Sequence, residues 1–204
     1  STRARAIAPS PCNCWANKLP ASASILSHPR YDRTMDIEKT IADGKDVIRI
    51  EAAALTALVD RIDASFAHAV DLIFGASGRV VVTGVGKSGL IARKIVATMN
   101  STGPPAIFLH PADAVHGDLG MVTQGDVVLV LSKSGNTEEI RAIFPMFRQI
   151  GVKTISIVGV LDSYLAEHSD VMLDGSVTEE ACPHDLAPTS STTVALALGD
   201  AIAI

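Results

Sequence analysis

The sequence lacks any long hydrophobic run. Its longest apolar stretches are four to five residues, such as Val127–Leu131, against the roughly 18 needed to cross a bilayer. No membrane span is expected, and runs of this length have the size of buried strands. Cysteine is scarce: the three are Cys12, Cys14 and Cys182. An odd count at low density argues against a disulfide scaffold and for a reducing compartment. Cys12-x-Cys14 has no second Cys or His pair near it, so no metal site is expected. Acids are missing from residues 1–31. Residues 35–204 reverse that balance, with 12 basic and 21 acidic residues inside an overall net charge of −5. So acidic a body repels a nucleic-acid backbone. It leaves room for a small anionic ligand at a locally positive site.

The chain is otherwise well supplied for folding. Its 204 residues are 48% hydrophobic with mean hydropathy +0.32, enough for one domain with a buried core. Residues 1–34 have neither helical nor strand periodicity and lack the apolar core of a secretory signal. They read as a disordered tail, or as translated sequence upstream of a start at Met35, ahead of an expression remnant or an organelle transit peptide. The domain is expected over 35–204.

Within it, Asp36–Phe74 reads as helical, with Leu55, Leu58, Val59, Ile62, Phe66, Val70 and Ile73 on one face and a break at Gly44. Strands are expected at Arg79–Thr83, Ala106–Leu109, Asp126–Leu131, Thr154–Val158 and Val171–Leu173. Helices follow the first and third, the latter bent at Pro145, and a last helix covers Thr193–Ile204. This alternation predicts an α/β, doubly wound, five-stranded and mostly parallel sheet flanked by helices. Such sheets bind ligands at the carboxyl ends of the strands, near the switch in strand order. The loops after the first and third strands therefore carry the functional argument.

The first of these, Gly84-Val-Gly86-Lys-Ser-Gly89, fits G-x-G-x-x-G. A dinucleotide site also needs an acid about 20 residues on, and none occupies 101–112. A Walker loop fails because Val81 stands where its leading glycine belongs. There remain glycines that bring backbone close to a ligand at a helix N-terminus, with Gly86, Lys87 and Ser88 at hand. The bland alternative is a tight turn with a solvated lysine. The second loop, Ser132-Lys-Ser134-Gly-Asn-Thr137-Glu-Glu139, offers three hydroxyls at a helix start. Capping needs one, so a phosphate cradle is the stronger reading. Glu138 or Glu139 either caps or faces the ligand.

These loops, with Ser101-Thr-Gly103, His110–Met121 and Glu180-Ala-Cys-Pro183…Leu186-Ala-Pro-Thr-Ser-Ser-Thr192, resemble the sugar isomerase (SIS) domain. Within it they are similar to arabinose-5-phosphate isomerases of the Kdo pathway, over about residues 36–204. The resemblance implies the flavodoxin-like SIS fold and a cofactor-free interconversion of ribulose 5-phosphate and arabinose 5-phosphate. It implicates Lys87, Glu139 and Glu180 as catalytic, with His116 in the active-site loop. Gly86, Ser88, Ser132, Ser134 and Thr137 match sugar-phosphate contacts, and the hydroxyl run Thr189–Thr193, Thr189 and Ser190 foremost, is expected to line the site. It further implies a cytoplasmic homotetramer whose sites are completed by neighbouring subunits. This chain has Asp113 where the family usually has Glu. Relatives continue past the last helix with a histidine-bearing stretch and, in many, a CBS pair.

The chemistry fits these residue types. Moving a carbonyl between C1 and C2 needs a base poised near neutrality, a cation or acid at the oxygens, and a grip on the phosphate. Glu180 beside Cys182-Pro183 is expected to gain proton affinity by desolvation and to act as the base. Lys87 would stabilise the oxyanion, and Glu139 or His116 would handle ring opening. The rival readings are a sugar-phosphate-binding regulator without turnover, an isomerase of a related phosphosugar, and an NAD-dependent oxidoreductase already weakened by the missing acid. Two carboxylates facing an anion favour catalysis over binding alone.

Overall fold

A computed structural model describes residues 36–182, 184 and 187–204. The tail expected over 1–34, with Cys12 and Cys14, lies outside the described residues. Residues 42–204 form one compact unit.

Five strands form one sheet: β1 (Val80–Gly84), β2 (Ala106–Leu109), β3 (Val127–Ser132), β4 (Lys153–Val158) and β5 (Val171–Asp174). Their order is β2-β1-β3-β4-β5, and every pairing is parallel. The switch in order falls between β1 and β3, where Gly84 pairs with Leu131. β3 is buried along its whole length, as a central strand covered on both faces must be.

The period of two splits each strand between two cores. Val80, Val82, Leu129, Leu131, Ile155 and Ile157 face one layer. That layer is built by α2 (Ala64–Phe74), α3 (Lys87–Thr102) and α7 (Ser190–Ala203), with Leu58 of α1 (Ile37–Val59). Val81, Val128, Val130 and Val158 face the other, made by α4 (Pro111–Val115), α5 (Glu138–Ile150) and α6 (Tyr164–His168).

The long helix expected over Asp36–Phe74 is two helices. Gly44 lies inside an unbroken α1, with nothing near its Cβ position. The break comes instead at residues 60–63, where the Asp63 side chain accepts from the Ser65 and Phe66 N–H groups and starts α2. This junction is tied down by Arg61, which donates to the Ser176 carbonyl at 2.7 Å and pairs with Asp174 at 3.3 Å. Val59 and Phe74, read as apolar-face and end residues, are exposed. Pro145 sits on the exposed side of α5, and the helix continues through it.

At the opposite edge from the strand carboxyl ends, two acids pin strand starts. Asp126 accepts from the N–H groups of Arg79 and Thr123. Asp170 accepts from Thr154 N–H and pairs with Lys153 at 2.8 Å. Burial pushes both carboxyls up, but these hydrogen bonds and cations outweigh it and leave both below the usual range.

Candidate active site

The strand-to-helix turn after β1 depends on two glycines. Gly86 precedes α3 at φ +60°, a left-handed conformation open to glycine. Gly89 lies against β1: a Cβ there would come within 2.7 Å of the Gly84 carbonyl oxygen. No side chain caps α3, and its first residues are Lys87 and Ser88.

β3 ends at Ser132, whose hydroxyl is buried. Its Oγ accepts from the Gly135 N–H at 3.0 Å and lies 3.0 Å from the Thr137 hydroxyl. Thr137 holds the N-cap position of α5 but makes no capping hydrogen bond. Its hydroxyl is turned to Ser132, so the bland capping role does not account for it. Two helix N-termini without side-chain caps thus stand on either side of the switch point. N–H groups and the helix dipole favour an anion at such a place. Between them lies a crevice of about 340 Å³ lined by Ser88, Ser132, Ser134 and Thr137. They are four of the side chains that the family resemblance implies at the sugar phosphate; Thr189 and Ser190, expected with them, do not line this crevice.

Beside it opens a second cleft of about 610 Å³, lined by Glu180, Ser191, Cys182 and His184. The Glu180 side chain is 1% exposed. It accepts from the Thr189 N–H at 2.8 Å, the Ser191 N–H at 3.1 Å, and the hydroxyls of Thr189 and Ser191. The Glu180 carboxylate therefore occupies the N-terminus of α7. Lys133 Nζ reaches it at 2.7 Å.

The electrostatics reverse the expectation for Glu180. Burial alone would raise its pKa, as its apolar neighbours in sequence suggest. Lys133, the Ser191 hydroxyl and the N–H groups of Thr189 and Ser191 outweigh burial and pull it down from 4.5 to about 2. Desolvation was legible from the apolar surroundings. The counter-ion was not, because Lys133 is 47 residues away in sequence.

The predicted side chains fall into four groups. Ser88, Ser132, Ser134 and Thr137 share one crevice. Glu180 meets it through Lys133, which lines both clefts. Lys87, Glu139 and His116 are exposed and line neither cleft of this chain. Thr189 gives its N–H to Glu180, and its hydroxyl serves Glu180 and the Ala181 N–H. Ser190 is fully buried. Neither lines the hydroxyl crevice. Ser191 lies within the hydroxyl run Thr189–Thr193 that the sequence offered, one place beyond the pair chosen, and the helical phase of α7 turns it to Glu180. Sequence reasoning missed one residue. Lys133 was visible inside the cradle loop but carried no signal of its partner. Among the described residues, no group of three or more His, Cys, Asp or Glu is arranged to hold a metal ion. None of the described helices is long and apolar enough to cross a membrane.

The architecture defines a class: a doubly wound domain with a hydroxyl-bearing crevice at its switch point and a buried carboxylate alongside. Residues 72–204 match the SIS domain model, and the chain belongs to that family. It is similar to the arabinose 5-phosphate isomerase KdsD of Pseudomonas aeruginosa, 51% identical over 80% of this chain and 50% of the relative. KdsD of Escherichia coli O6:H1 (strain CFT073) is 45% identical over 88% of this chain and 54% of the relative. The chain spans about half the length of these curated relatives. A solved Escherichia coli CFT073 protein in complex with arabinose 5-phosphate superposes with TM-score 0.80 at 41% identity, covering 83% of this chain and 90% of that one.

Proposed function

We propose that the chain is an aldose–ketose isomerase that interconverts D-ribulose 5-phosphate and D-arabinose 5-phosphate through an enediol, supplying Kdo biosynthesis in the cytoplasm. One observation carries the reading: the hydroxyl crevice and the buried Glu180 carboxylate adjoin at the switch point. The identity to arabinose 5-phosphate isomerases and the likeness to a protein holding arabinose 5-phosphate support it.

The phosphate sits among Ser88, Ser132, Ser134 and Thr137, where remote binding energy orients the sugar. Glu180 takes the proton from the carbon beside the carbonyl. The C–H electron pair enters the enediol, and the carbonyl oxygen becomes an oxyanion that Lys87 stabilises. Glu139 or His116 carries the proton of the neighbouring hydroxyl to that oxyanion, and Glu180 returns its own proton to the former carbonyl carbon as the new C=O forms at its neighbour. Glu139 or His116 serves ring opening. Both are exposed in one chain, as is Lys87, which fits sites completed by neighbouring subunits of a homotetramer. Exposed Ile48, Val59 and Ile62 near the long helix supply apolar surface for that assembly.

A second reading has one observation behind it. A carboxylate held at about 2 is a weak base, which suits a module that binds a sugar phosphate without turning it over. Turnover of arabinose 5-phosphate to ribulose 5-phosphate decides between them. The isomerase reading expects turnover that Glu180→Gln lowers by about 100-fold or more. Tight binding without turnover moves the assignment to the regulator. Arabinose 5-phosphate should raise the melting temperature, and NAD should not.

A further inference from the structure

The lysine that neutralises Glu180 belongs to the cradle loop. Lys133 follows Ser132 and precedes Ser134. It lines the Glu180 cleft, the hydroxyl crevice and a narrow gap of about 40 Å³ that runs between Ser88 and Ser191. The two ends of its contact with Glu180 are unequal. The carboxylate is 1% exposed and fixed by four donors of α7 and its N-cap, whereas the lysine side chain is 44% exposed. The base of its stem is held. The Lys133 carbonyl accepts from Gly159 N–H at 3.0 Å, and a Cβ on Gly159 would come within 3.3 Å of Lys133 Cγ. The base of the Lys133 stem is thus fixed on the wall that the two clefts share.

We propose that Lys133 is a positioning residue that leaves Glu180 for the phosphate of the bound sugar, so that Glu180 becomes a base only when the crevice is filled. This rests on the isomerase reading above and adds a residue and a trigger to it. Charge sets the direction. A sugar phosphate brings about −1.5 to −2 charges and three acceptor oxygens, against the single charge of a carboxylate already satisfied by α7. Once the lysine departs, the buried carboxylate loses the strongest of the groups that lower it, and desolvation pushes its proton affinity upward. Among the described residues, the other titratable groups lining this cleft are Glu179, Cys182 and His184. The α7 side contributes hydroxyls and N–H groups, and the β4 end contributes Gly159 and Val160. The carboxylate is thus kept inert in the empty site and activated by the part of the substrate that does not react. Free sugars without a phosphate would leave the pair closed.

The test compares pH profiles, because kcat/KM reports the free enzyme and kcat reports the complex. In the unmodified chain the acid limb of kcat should lie about 1–2 pH units above that of kcat/KM. In Lys133→Met the two limbs should merge, with KM raised about tenfold by the lost contact to phosphate. Lys133→Arg should restore the gap between limbs in part, which a purely structural role for the stem would not. Coincident limbs in the unmodified chain, or a gap that survives Lys133→Met, overturn the proposal. A calorimetric arm works without turnover and so separates this idea from the isomerase reading. Arabitol 5-phosphate binding near pH 4 should take up part of a proton in the unmodified chain. Glu180→Gln should abolish the uptake, leaving only the ligand's own ionisation. Equal proton uptake in both overturns the switch even if the chain is a working isomerase. Uptake confined to the unmodified chain sustains it even if no turnover is found.

Discussion

Gly135 exists in its loop because Ser163 stands where a side chain would go. A Cβ on Gly135 would overlap the Ser163 hydroxyl and come within 2.6 Å of its Cβ. The backbone is also left-handed there, at φ +63°. Next to it, the Gly135 carbonyl accepts from Leu165 N–H at 3.1 Å, and Asn136 Oδ1 accepts from Tyr164 N–H at 3.0 Å. The start of α6 therefore holds the cradle loop in shape. Gly135→Ala should destabilise the protein by about 2 kcal/mol, since strain and overpacking both act. Urea unfolding measures this, and a KM for arabinose 5-phosphate raised alongside it would link loop shape to binding.

The cradle serines should separate binding from folding. Ser134 is exposed and its hydroxyl accepts only a local bond from Asn136 N–H. Ser134→Ala is expected to raise KM about tenfold with the melting temperature unchanged. Ser132 is buried, and its Oγ holds the Gly135 N–H. Ser132→Ala should raise KM and also cost about 1 kcal/mol of stability.

Acid should unfold the domain through Glu180. Its folded pKa lies below its ordinary 4.5, at about 2. The stabilisation is thus complete above about pH 4.5 and disappears as pH falls toward 2. A shift of this size corresponds to about 3 kcal/mol. Asp126 and Asp170, also lowered, add in the same direction. In Glu180→Gln the slope of stability against pH over that interval should flatten, as read by denaturant midpoints at successive pH values.

The α3–α7 contact should resist even one methyl group. A Cβ on Gly199 would overlap Ile95, a residue with no exposure. Gly199→Ala gains helix propensity of about 1 kcal/mol but must displace a close-packed side chain. The expected net effect is a loss of about 1–2 kcal/mol. A rise in melting temperature would show that Ile95 has room to move.

The sheet was legible because its strands are short apolar runs between turn residues. Ala106–Leu109 is found to the residue, and the others shift by one residue at one end or both. The hydroxyls of the crevice were legible because they crowd one loop at a strand-to-helix turn. The α1–α2 break was not, because Asp60–Asp63 interrupts an apolar series whose spacing runs on past it. The short helices Pro111–Val115 and Tyr164–His168 fell below the length at which a helical period can be counted. Lys133–Glu180 was invisible for a different reason. A salt bridge between a β3 loop and the segment after β5 is created by the sheet order, and no local pattern encodes it.

The placement of Glu180 on the first N–H groups of α7 joins two selective pressures in a single atom group. A substitution library at this position, sorted for expression, would discard most variants as poorly folded before any was assayed for turnover. The same position would dominate a library sorted for turnover. Redesign toward another phosphosugar is therefore better directed at the crevice, where Ser88 and Ser134 can change without unseating a helix.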